Sequence, residues 1–125
     1  MITQESVQKY RKEFNEMSDC VVTSLAIVGQ ISYRKAHFIA EMSGREHRNG
    51  FWTADVVDLA RKYGINLVYI EPGERVTVKK FCSIYETGRY IIESKFHALT
   101  VIDGVVMDKS GRNAIVENIF KLEVE

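Results

Sequence analysis

Gly88-Arg-Tyr-Ile-Ile-Glu-Ser-Lys-Phe-His-Ala-Leu-Thr-Val-Ile-Asp-Gly-Val-Val-Met-Asp108 is the stretch whose reading decides the fold. Its runs Arg89–Glu93, His97–Ile102 and Val105–Asp108 are rich in β-branched residues and read as strands. Asp103-Gly104 between two such runs is the strongest short-range hairpin signal, a type I′ turn with both central residues left-handed. A two-residue turn there leaves one register: Ile102 opposite Val105, Val101 opposite Val106, Thr100 opposite Met107 and Leu99 opposite Asp108. Side chains alternate along a strand, so His97, Leu99 and Val101 share a face with Val106 and Asp108. His97 and Asp108 become diagonal cross-strand neighbours, roughly 7–8 Å apart at the backbone and within side-chain reach. Asp103 lies at the hairpin tip, on the order of 20 Å along the strand from His97. A carboxylate that orients this imidazole is therefore expected to be Asp108.

Outward from the hairpin, Ile65–Ile70 is a further β-branched strand and Glu71-Pro-Gly-Glu74 a turn. Thr77 caps a short helix with Val78, Phe81, Cys82 and Tyr85 on one face, and a last strand runs from Ile115 to Val124. The first half has helical spacing instead. Ser6–Phe14 forms a short polar helix or lead-in. Ser18-Asp19 offers an N-cap to Val21, Val22, Leu25, Ala26, Ile27 and Val28, a set with almost no polar face and hence a buried helix, ended by Gly29. Ser32 caps a helix from Tyr33 to about Met42, closed by Ser43-Gly44. Thr53 caps another, with Ala54, Val57, Ala60 and Tyr63 at helical spacing and Gly64 at its end. Helices first and an antiparallel sheet after predict one α+β domain over residues 1–125.

Seventeen Lys and Arg against seventeen Asp and Glu give zero formal charge, so nothing global draws the chain to nucleic acid or an anionic membrane. The longest near-apolar stretch, Val21–Val28, is too short to span a bilayer. The start, Met1-Ile-Thr-Gln-Glu5, lacks the basic and apolar regions of a signal peptide, so a cytoplasmic location is expected. Its two cysteines, Cys20 and Cys82, are expected as free thiols. A zinc site is not expected, because the two cysteines and three histidines show no paired spacing. No Gly-rich phosphate loop follows a strand into a helix.

Cys20 follows the cap of the buried helix, where unpaired N–H groups and the positive end of the helix dipole favour a thiolate. A cysteine there also serves as a small core residue. Asp19 beside it opposes a second negative charge. With His97 as base and then acid and Asp108 holding its tautomer, Cys20 would form a nucleophilic triad. Its own backbone N–H is one oxyanion donor, and Asn15 is the nearest upstream side-chain amide for a second.

The segments Ser18-Asp-Cys-Val-Val-Thr-Ser-Leu-Ala-Ile-Val28 and Gly88–Asp108 resemble the nucleophile helix and the histidine hairpin of papain-like cysteine peptidases. The bacteriocin-processing branch and small phage-encoded relatives are the most similar. Asp108-Lys-Ser-Gly111 is similar to that branch's Asp-Pro-x-x-Gly turn without the proline. The resemblance spans about Phe14 to Gly111. It implies a minimal papain-like fold, a buried helix carrying the cysteine packed on an antiparallel sheet. It also implies a peptidase or amide hydrolase acting through a Cys20–His97–Asp108 triad and a thioester. The substrate would be a peptide, isopeptide or side-chain amide, with no metal or organic cofactor, no nucleic acid and no membrane as partner. A phage-encoded member would work in the host cytoplasm. The family's oxyanion glutamine stands six residues before the cysteine, where this chain has Phe14, so Asn15 is the substitute. The alternatives are a degenerate papain-like protein that binds or inhibits a host factor, and an acyl transferase or deamidase using the same triad.

Cys82 falls on the apolar stripe of its helix and reads as core. His37, beside Arg34, Lys35 and Glu41, reads as a surface or half-buried polar residue. The loop Gly44-Arg-Glu-His-Arg-Asn-Gly-Phe-Trp52 can wall a cleft with Trp52 as a substrate platform. The simpler reading, adopted here, packs Trp52 as a hydrophobic staple ahead of the Thr53 cap.

Overall fold

A computed structural model describes residues 1–95, 97–108 and 111–123. The expected strand end at Val124 and the Lys109-Ser110 centre of the Asp108–Gly111 turn lie outside them. Helices α1 (Gln4–Glu13), α2 (Cys20–Gly29), α3 (Tyr33–Met42) and α4 (Val57–Lys62) precede strand β1 (Asn66–Ile70) and helix α5 (Val78–Ile84). Strands β2 (Arg89–Ser94), β3 (His97–Ile102), β4 (Val105–Val106) and β5 (Asn118–Glu123) follow. All strand pairs are antiparallel, in the order β1-β5-β2-β3-β4. The chain is an α+β domain of helices on an antiparallel sheet. Among the described residues, no helix is long and apolar enough to cross a membrane.

Residues Val21–Val28 of α2 are all buried, as a helix without a polar face must be. The helix lies on the sheet face made by Ile91, Ala98 and Phe120, while α5 covers the opposite face through Val78 and Phe81 against Tyr90, Ile92 and Leu99. The central strands β2 and β3 are thus buried on both sides. Each fully buried Leu25, Ile27 or Ile91 contributes about 1.5–3 kcal/mol.

The hairpin has the expected register, Val101 opposite Val106 and Ile102 opposite Val105, and the Met107 N–H donates to the Thr100 carbonyl at 2.8 Å. Asp103 (φ 48) and Gly104 (φ 76) both take the left-handed conformation that a type I′ turn demands. Strand β4 is shorter than expected, ending at Val106, because the chain bends at Met107 and Asp108. Ile115 forms only an isolated bridge with Thr77, and the last strand begins at Asn118.

Three caps differ from expectation. Asp19 makes no side-chain cap on α2, because its carboxylate is drawn to Arg11 and Tyr33 instead. The left-handed cap ending α2 is Gln30 (φ 52) rather than Gly29, held by its own amide donating to the carbonyls of Ile27 and Ile2. Thr53 opens a short 3-10 turn, Thr53–Asp55, and its hydroxyl caps nothing; the Glu93 carboxylate accepts from the Thr53 N–H at 2.9 Å instead. Thr3, Ser32 and Thr77 do cap α1, α3 and α5 through their hydroxyls.

Candidate active site

The N-terminus of α2 and the start of β3 meet because α2 packs along β3, with Thr100 donating to the Ser24 carbonyl at 3.3 Å. Cys20 is the first residue of α2, and the first intrahelical bond runs from the Thr23 N–H to the Asp19 carbonyl. The N–H groups of Cys20, Val21 and Val22 therefore have no acceptor within the helix and point out of its end.

His97 sits between two partners. Its Nε2 meets Asp108 Oδ2 at 2.7 Å, as the hairpin register predicts, and the ring also hydrogen-bonds with the Cys20 side chain. The bond to Cys20, aided by that to Asp108, outweighs burial and raises the imidazole to about 9. Burial alone would raise the Cys20 thiol. The hydrogen bond from His97, the backbone N–H of Ala98 and the charge on His97 outweigh it and hold the thiol below its ordinary value. A lowered thiol facing a raised imidazole favours the shared proton on the ring. Gly111 (φ +90) closes against this pair: a Cβ there would stand 2.9 Å from Leu99 and 3.9 Å from the His97 ring.

Asp19 is 2% exposed. Arg11 Nε donates to both its oxygens at 2.8 Å and the Tyr33 hydroxyl donates at 2.8 Å. Its opposition to the Cys20 thiolate is consequently the weakest of the influences on that thiol.

Two clefts open on Cys20 and His97. One is walled by Gly50, Phe51 and Trp52, with Val21, Glu93 and Ser94 behind. The other is lined by Gln4, Gln8, Arg11 and Asp108. Trp52 does not act as a staple. It stands 62% exposed on the rim of the first cleft, since Glu93 rather than a hydrophobic clasp secures the Thr53 turn behind it.

Asn15 lines neither cleft. Its backbone is left-handed (φ 51), its side chain is exposed, and its Oδ1 accepts from Arg48 at 2.9 Å. By donating to that oxygen, the guanidinium of Arg48 holds the amide that was expected at the oxyanion outside both clefts. The side-chain amides that do reach Cys20's clefts are Gln4 and Gln8 of α1, and Gln8 is oriented by accepting from Arg11 at 3.1 Å. Gln4, Gln8 and Arg11 were not singled out from the sequence; their helical spacing on one face is the signal that could have found them.

The loop that carries Asn15 is tied down by Glu16. This buried carboxylate accepts from Arg45 at 2.8 and 3.0 Å and contacts His37 closely, with His47 at 3.6 Å. Burial would raise its carboxyl, but Arg45 and then His37 outweigh that and lower it to about 2. His37, read as a plain polar residue, is half-buried within this cluster. Glu16, His37 and His47 bring three ligand-type atoms within 4.8 Å of one another, a grouping that no local spacing announces. The Arg45 guanidinium already neutralises the carboxylate and repels a cation, so the cluster fits an ionic clasp rather than a metal centre. Cys82 is half-buried on α5, and burial pushes its thiol up.

The chain matches no protein-family model, no curated protein and no solved structure.

Proposed function

We propose that the protein is a cysteine-dependent amide hydrolase, a minimal papain-like peptidase in its arrangement of parts. The observation that carries this reading is the chain of contacts Cys20–His97–Asp108, with the His97–Asp108 bond at 2.7 Å and the thiol held low by the imidazole. The Cys20 thiolate attacks the carbonyl carbon of an amide, forming a C–S bond while the carbonyl π pair moves to oxygen. The free N–H of Cys20 at the helix end stabilises that oxyanion. The imidazolium of His97 gives its proton to the departing amine as the C–N bond breaks, leaving a thioester. Water, deprotonated by the now neutral His97, attacks the thioester; the carboxylic acid leaves and the proton returns to the Cys20–His97 pair. Asp108 accepts from the far ring nitrogen and keeps that proton in place, so that the nitrogen facing sulfur is the one that gives up and regains the mobile proton.

The test is incubation of the protein with a mixed peptide library, with products read by mass spectrometry. New termini appearing with wild type but not with Cys20→Ala or His97→Ala are the expected result. Cleavage that persists in Cys20→Ala would remove the reading.

The placement of Asn15 on Arg48, away from both clefts, favours a second reading, a papain-like binding or inhibitory protein with an incomplete oxyanion hole. In that case the library stays intact while Cys20 remains reactive toward small alkylating agents. Acyl transfer or deamidation through the same thioester would instead appear as products joined to an added amine, or as glutamine converted to glutamate.

A further inference from the structure

Glu93 is only 5% exposed, yet it forms part of the cleft beside Cys20. It comes from the end of β2, opposite Ala98 of β3 and Asn118 of β5, on the sheet face that α2 covers. Its Oε2 accepts from the Thr53 N–H at 2.9 Å and its Oε1 from Asn118 Nδ2 at 3.0 Å. A carboxylate offers about four lone-pair positions, so these two neutral donors leave roughly half of its accepting capacity unused. Among the described residues, no lysine, arginine or histidine forms an ion pair with it. The Thr53 hydroxyl, on the residue that donates to Glu93, is fully buried and also without a hydrogen-bond partner among the described residues. A buried hydroxyl is rarely left in this state.

Across the same cleft stands the exposed ring of Trp52, with Phe51 beside it. An anionic group at the base of an apolar cleft with an indole face at its rim is complementary to one kind of side chain. A long apolar stem lies along the ring, and a cationic end reaches the carboxylate. Arginine fits better than lysine, since its planar guanidinium stacks on indole and donates in pairs to a carboxylate.

We propose that the cleft between Trp52 and Glu93 is a specificity subsite for a basic residue, arginine first, of the peptide whose carbonyl is presented to Cys20. This deepens the amide-hydrolase reading and rests on it. The low dielectric of the apolar walls strengthens the charge pairing relative to water, and the two existing hydrogen bonds hold the carboxylate in place before the substrate arrives.

The experiment compares dipeptidyl acyloxymethyl ketones carrying arginine, or its uncharged isostere citrulline, at the first or second residue from the electrophile. Covalent labelling of Cys20 is followed by mass spectrometry in the intact protein, alongside iodoacetamide as a probe that uses no subsite. The arginine probe is expected to label wild type roughly tenfold faster than citrulline at one of the two positions. In Glu93→Gln, which keeps the shape and can still accept from Thr53, that preference should fall to near unity while the iodoacetamide rate is unchanged. Equal rates for arginine and citrulline in wild type, with iodoacetamide reacting fast at low pH, would overturn the subsite and leave the hydrolase reading standing. Retention of the arginine preference in Glu93→Gln would overturn the role of Glu93. Slow iodoacetamide labelling of wild type at low pH would count against the thiolate itself, and so against both.

Discussion

Cys20 and Cys82 are both half-buried, both on helices and both unpaired, yet their surroundings push them in opposite directions. Cys82 lies inside α5, and burial raises its thiol, with the charge of Arg112 and its own backbone N–H opposing that only in part. Cys20 lies at the first position of α2, where the backbone N–H groups are free, and it receives hydrogen bonds from His97 and the Ala98 N–H. Two half-buried thiols therefore need not share their chemistry. What separates the two thiols is whether the buried anion would find donors, and a helix terminus aimed at a sheet edge supplies them where a helix middle does not.

The comparison is most strongly strained by loosening the platform on which Cys20 rests. In Glu16→Gln, Arg45 loses its buried partner, and global stability should fall by about 3 kcal/mol at neutral pH. The carboxyl sits at about 2 when folded against 4.5 for an unperturbed glutamate, so its stabilising contribution is complete above about 4.5 and fades as pH falls toward 2. Urea midpoints measured across that range should decline steeply in wild type and much less in the variant. Parallel declines would show that Glu16 is not the group responsible.

Next in size, His97→Ala should erase most of the difference between the thiols. An ordinary thiol is well under 1% ionised at pH 6, and allowing for the weaker nucleophilicity of a low-pKa thiolate, Cys20 should alkylate roughly thirtyfold faster than Cys82 in wild type. Peptide mapping after a short iodoacetamide pulse reads this ratio directly, and in His97→Ala it should approach one. Asp108→Asn is a gentler blow. Removing that hydrogen bond lowers the imidazole from about 9, so the alkaline limb of hydrolysis, where the acid His97 loses its proton, should move to lower pH. An unmoved limb would mean that Asp108 does not tune the ring. Smallest of all, Cys82→Ala should cost about 1 kcal/mol or less in a denaturant melt and leave the Cys20 alkylation rate unchanged.

The hairpin and its His97–Asp108 pair were legible because a type I′ turn fixes register locally, and one register places the two side chains on one face. The buried α2 was legible too, because a run without polar positions has few alternatives. Other features depend on contacts between distant residues. Nothing near Asn118 announces that β5 inserts between β1 and β2, since sheet order is set by packing of both faces. Glu93 interrupts an apolar strand, and that was its only local signal; that it caps the turn at Thr53 follows from tertiary placement. Asp19 has the chemistry of a cap, but a guanidinium and a phenol outbid the helix N–H groups for it. Asn15 was chosen for its proximity in sequence to Cys20, whereas Gln4 and Gln8 of α1 line a cleft shared with Cys20.

The central claim is that Cys20 is a thiolate stabilised by His97, and it is tested most directly by the pH dependence of its alkylation in the Cys82→Ser protein. The account predicts a rate that stays high well below the free-cysteine midpoint of about 8.5 and loses that plateau in the additional His97→Ala variant. A single titration centred near 8.5, indifferent to His97, would contradict it.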